Sequence, residues 1–192
     1  MKPRSAGHLH VGPLEAASPR RSSTKTMLKK IYESPAVLTE LFLHIQGEPD
    51  RGAVLSAAAA LDDLLEELIA NFLRDNSSSK KLLDGFNAPL GTFSSRILMA
   101  NALGLLTVEE HEDLGTIRRI RNYLAHKWSD VSFSTDELCS LALNLKLAAV
   151  TIPMDRSNAR NRFNSAFAVI CTSLISRAGC IEHLGTHPLV YR

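Results

Sequence analysis

The sequence predicts an all-α protein built as a single bundle of about six or seven helices. Apolar residues return at three- and four-residue spacings in several separate segments, which is the helical period. Helix-start signals of the Ser/Thr-x-x-Glu kind, together with Pro and Gly stops, punctuate those segments. No segment alternates apolar and polar side chains as a half-buried strand would. The chain has 192 residues, 45% of them hydrophobic and 22% charged, enough for one domain with a proper core.

Residues 1–26 hold Pro3, Gly7, Gly12, Pro13 and Pro19 without periodicity and read as disorder. The basic N-terminal segment extends to residue 30, with seven Lys/Arg against one Glu, hence +6. Residues 31–192 are assigned to the helical domain, with fifteen basic and nineteen acidic side chains, hence −4. Such a body has no global basic footprint for nucleic acid.

The first helix follows Ser34-Pro35, carries Val37, Leu38, Leu41, Phe42 and Ile45 on its apolar stripe, and stops at Gly47 and Pro49. The second runs from Asp50 to about Arg74, with Leu55, Ala58, Leu61, Leu65, Leu68, Ile69 and Phe72 at the helical period. Lys80 to Leu83 is expected to form one turn, followed by a structured connection from Asp84 to Gly91. Another helix spans Thr92 to about Gly104. Thr107-Val108-Glu109-Glu110 then caps a helix whose stripe is Val108, Leu114, Ile117, Ile120, Leu124 and Trp128. Ser134-Thr135-Asp136-Glu137 starts the next, through about Leu147; Ile152-Pro153 breaks the chain, and a last helix runs from about Arg156 to Ala178.

No uninterrupted apolar run approaches the ~20 residues that span a bilayer, and the N-terminal segment lacks the apolar region of a signal peptide. Cys139, Cys171 and Cys180 form no C-x-x-C pair and read as reduced thiols. The expected compartment is the cytoplasm.

The chemistry concentrates between Ile117 and Trp128. Arg121, Asn122 and His126 are the candidate catalytic set, with imidazole as acid or base and guanidinium as phosphate clamp. Arg121 and His126 are five residues apart, about 140° around an ideal helix and roughly 7.5 Å along it. Asn122 and His126 are i,i+4 neighbours able to hydrogen-bond. The competing reading is electrostatic: acidic residues open this helix and Arg118, Arg119, Arg121 and Lys127 close it, as the macrodipole favours. On that reading Arg118, Arg119 and Lys127 need no special role.

Three other patterns carry less. Asp62, Asp63, Glu66 and Glu67 suggest a carboxylate metal cluster, but a solvated face is preferred because no His stands at ligand spacing. Ala100 and Gly104 before a turn suggest a helix-turn-helix, yet its second helix would bring Glu109, Glu110, Glu112 and Asp113 to the phosphates. Cys180-x-x-His183-x-x-x-His187 has zinc-like spacing without a fourth ligand. No metal and no cofactor is expected.

At Pro89-Leu90-Gly91-Thr92-Phe93-Ser94-Ser95-Arg96, and again at Ala102-Leu103-Gly104-Leu105-Leu106, the chain resembles the mannitol operon repressor family. The likeness includes Arg51 to Phe72 and the Glu-rich run into Arg121–His126, and covers roughly residues 35–178. It implies an all-α transcriptional regulator without an evident DNA-binding domain, acting through protein partners such as a transcription factor and forming a homodimer. Arg121-Asn122-x-x-x-His126 also resembles the R-x(4–6)-H motif of HEPN domains. That resemblance implies a metal-independent ribonuclease or an RNA-binding module, with Arg121, Asn122 and His126 as the active set. The regulator is the leading expectation and the ribonuclease the alternative; neither involves a membrane.

Overall fold

A computed structural model describes residue 31 and residues 34–127, 131–149 and 158–184. The basic N-terminal segment, Trp128, the Ile152-Pro153 break, the Arg156 helix start and the side chains of His183 and His187 lie outside the described residues. Among the described residues there are seven α-helices and no strand: α1 (Pro35–Gly47), α2 (Asp50–Phe72), α3 (Ser77–Leu83), α4 (Phe93–Ala102), α5 (Val108–His126), α6 (Asp136–Leu143) and α7 (Ala159–Leu184), with a 3-10 turn at Leu147–Ala149. The all-α bundle expected from periodicity is the fold.

Helix α2 is the central element, packed most extensively on α7 and also on α4, α5, α1 and α3. Its Ala53, Ala57 and Ala58 are buried, and such small side chains let neighbouring backbones come close. Leu61, Leu65, Leu68 and Ile69 continue that inner face. Phe163 and Phe167 of α7 fill the space opposite, Phe167 edge-on to Phe42 at 5.7 Å and Phe163 tilted against Phe133 at 5.3 Å. Each fully buried Leu or Phe contributes about 1.5–3 kcal/mol.

Segment Ala159–Ile181 of α7 is long and apolar enough to cross a membrane by length and mean composition, although Arg160, Asn161, Arg162, Asn164 and Arg177 interrupt its apolar run. Its mean hydropathy is that of a core helix, since Phe163, Ala166, Phe167, Ile170, Cys171 and Leu174 are buried within the bundle. Burial pushes the Cys171 thiol up to about 12, which keeps it protonated.

The structure moves several expected features. Helix α3 begins at Ser77 rather than Lys80 because the Asn76 side chain caps it, accepting from Ser79 N at 2.9 Å. Helix α2 ends at Phe72 and α7 continues past Ala178 to Leu184. Leu55 and Val108, both expected inside, are 37% and 68% exposed. Helix α6 stops at Leu143, not Leu147: Asn144 and Leu145 bond back three residues, and the next two amides turn to a carboxylate on α5. The acidic run of α2 is no solvated face, because Arg96, 7% exposed, is clamped by Asp62 at 2.7 Å and Glu66 at 2.5 Å. Arg96 Nε also donates to Leu90 O at 2.9 Å, so this cluster fixes the start of α4 against α2.

Candidate functional site

Helix α5 carries the sequence-predicted residues, and its two halves are built differently. Its start is a complete capping box: Thr107 Oγ1 accepts from Glu110 N at 3.2 Å, and Glu110 Oε2 accepts from Thr107 N at 2.8 Å. Glu110 is only 3% exposed. Across the interface with α7, Ser173 Oγ donates to Glu110 Oε1 at 2.5 Å, and Arg177 donates to both carboxylate oxygens at 3.1 Å. Burial pushes the Glu110 carboxyl up, but the hydrogen bonds from Arg177, Ser173 and the Thr107 backbone, with the Arg177 charge, outweigh it and hold its pKa below the usual value.

One turn on, Asp113 is 1% exposed, and its two oxygens accept from Lys146 N and Leu147 N, each at 2.9 Å. These are the amides that would have extended α6. For Asp113 burial wins over the hydrogen bonds from Lys146 and Leu147, and its pKa is raised. Glu110 and Asp113, expected to complement the helix dipole, are also interior fixtures.

Beside them, α4, α5 and the segment after α6 enclose an open cleft of about 680 Å³. Ile97 and Leu98 supply an apolar side, and His111, Arg118, Arg119 and Lys146 are basic residues along it. Arg118 and Arg119 lie two turns from the end of α5, too far to serve its last carbonyls, since the dipole's effect fades within the terminal turn. The expectation that they only complement the helix end is therefore corrected. The sequence offered one signal for this cleft, the adjacent arginine pair; Leu98, Asn144 and Lys146 come from separate elements and join it only through packing.

At the other end of α5, Arg121 and His126 are exposed and Asn122 is half-buried. Arg121 Nη1 donates to Asn122 Oδ1 at 3.0 Å, so Asn122 engages Arg121 rather than His126. The terminal carbonyl of Leu124 is served from another helix, by Arg51 Nη1 at 2.7 Å. Lys127 sits 5.4 Å over the Tyr123 ring. The set is thus accessible to a large ligand, and helix termination does not consume it. Among the described residues no group of three His, Cys, Asp or Glu side chains is placed to hold a metal ion.

The mannitol repressor family model matches residues 46–176. The mannitol operon repressor of Escherichia coli strain K12 is 28% identical over 97 residues, 48% of this chain and 49% of that protein. The mannitol operon repressor of Escherichia coli O6:H1 aligns with the same identity and coverage. The matched stretch therefore spans about half the length of these curated relatives. Among solved structures, the MtlR–HPr complex from Escherichia coli superposes with a TM-score of 0.50 and 22% identity, covering 84% of this chain and 99% of that one. At that identity the likeness is one of fold.

Proposed function

The chain belongs to the mannitol repressor family, and from that premise we propose that it is a cytoplasmic regulator that represses through a protein partner rather than by reading DNA. The observation that carries this reading is the construction of the α4–turn–α5 unit. In a helix-turn-helix the start of the second helix meets the DNA. Here that start presents exposed Glu109 and Glu112, while Glu110 is committed to Arg177 of α7. Carboxylates at that place repel phosphates where binding needs cations. The relative solved together with HPr supports a protein as the partner class and makes an HPr-type protein the first to try.

The test uses the full chain with purified HPr and, separately, with duplex operator DNA. A stoichiometric complex with the protein and only weak, sequence-indifferent DNA association is expected. Tight operator binding by the chain alone, with a steep salt slope, would overturn the reading.

A second reading is supported by the exposure of Arg121 and His126, with half-buried Asn122 bonded to Arg121. As an HEPN-like set they would clamp a phosphate and move the proton of a ribose 2′-hydroxyl, two copies in a homodimer supplying both acid and base. Metal-independent RNA cleavage by the wild type, lost in His126→Ala, is the result this reading expects. Equal cleavage by both proteins, or by neither, rules it out.

A further inference from the structure

The cleft between α4, α5 and the segment after α6 is not used by either reading above. Its charges do not cancel. Lys146 is paired with Glu112, with Glu109 nearby. Asp113 is buried with both oxygens taken by backbone amides, and even with its charge counted the lining keeps a net +1, from Arg118, Arg119 and Lys146 against Glu112 and Asp113. Arg119 donates to a neutral partner, Thr116 Oγ1, at 3.0 Å, so its charge is uncompensated by that bond. Arg118 is half-buried and pairs with no carboxylate among the described residues. Two adjacent arginines therefore line a concave site with their charge available, and His111 lines it beside them.

Guanidinium recognises phosphate oxygens through paired, planar donors, which a point charge such as ammonium does not. The volume of about 680 Å³ falls in the range of small-molecule sites. Ser94 and Asn144 line the same cleft and offer hydroxyl and amide hydrogen bonds. Ile97 and the 65% exposed Leu98 give it an apolar side. A bare multivalent ion makes no use of that side, whereas the carbon skeleton of a small organic phosphate packs on it while its hydroxyls meet Ser94 and Asn144. We propose that this cleft binds a small phosphomonoester, its phosphate on Arg118 and Arg119 and its organic part against Ile97 and Leu98. The occupant would be a chemical effector, and its binding is independent of which macromolecule the chain engages.

Glycerol 3-phosphate is the probe, compared with inorganic phosphate, glycerol and sodium chloride at matched ionic strength, on the full chain by calorimetry and thermal melting. The expected result is saturable binding of glycerol 3-phosphate, raising Tm by about 5 °C at a hundredfold excess over Kd. Glycerol and sodium chloride should give no such shift. Affinity should fall roughly tenfold or more in Arg118→Ala/Arg119→Ala and stay unchanged in Arg74→Ala, an exposed arginine outside the cleft. Glu112→Gln, which frees Lys146 and removes a negative charge, should tighten binding. A shift reproduced by sodium chloride, affinity retained in the double variant, or inorganic phosphate binding as tightly as glycerol 3-phosphate would each overturn the proposal. So would binding of an acidic peptide to the same arginines with no response to the phosphomonoester.

Discussion

In the first half of α5, Glu110 and Asp113 are buried and bonded to groups more than thirty residues away, on α7 and after α6. In its last two turns Arg121 and His126 are exposed, and the bond within that set joins neighbours in sequence, Arg121 to Asn122. Both halves read in the sequence as one helix with charges suited to its dipole. The difference teaches that charge along a helix does not by itself say which groups hold the fold. A carboxylate saturated by a distant element is structural, because removing its partner strands a charge in the interior. An exposed cation with local bonds is available to a ligand.

The largest test of this contrast is Arg177→Met, which leaves Glu110 buried without its counter-ion. A loss of about 3 kcal/mol is expected from denaturant unfolding. The same pair sets an acid limb. Because the Glu110 pKa is lowered in the folded protein, its stabilisation is complete above the ordinary carboxyl value of 4.5 and disappears as pH falls through the lowered value. The stability gap between wild type and Glu110→Gln should therefore close in acid. Asp113 has the opposite sign: its pKa is raised above 3.8, so its titration favours the folded state below that value and this contribution is lost as pH rises through the folded pKa.

Next in size is Asp113→Ala, which removes the acceptor of two backbone amides and should cost about 2 kcal/mol, with faster hydrogen exchange at Lys146 and Leu147. Gly115 lies between the two halves, and a Cβ there would meet nothing within 4 Å. Gly115→Ala should stabilise by about 1 kcal/mol through helix propensity alone; destabilisation would mean that the groove face of α5 is packed after all. The smallest effects belong to Arg121→Ala and His126→Ala, expected within about 0.5 kcal/mol of wild type. A loss above 1 kcal/mol in either would break the comparison, placing the helix end in the same structural class as its start.

Much of the fold was legible. Thr107 and Glu110 declared their capping box, Pro35 and Gly47 bracketed α1, and the spacing of Leu61, Leu65, Leu68 and Ile69 marked the inner face of α2. These signals are local, written within a few residues of where they act. The errors share a cause. The acidic run of α2 looked solvated because its partner, Arg96, stands thirty or more residues away, and α6 looked longer because Asp113 takes its final amides from another helix.

By itself the sequence determined the all-α class, most helix boundaries, the resemblance to the mannitol repressor family and the identity of Arg121, Asn122 and His126 as residues to test. Only the tertiary structure decided which charges are interior fixtures and which remain at the surface, and that Arg118 and Arg119 share a cleft with Leu98 and Lys146. Capping and periodicity act over one or two helical turns, so they can be read along the chain. Ion pairs and clefts form across elements far apart in sequence, and only packing brings them within bonding distance.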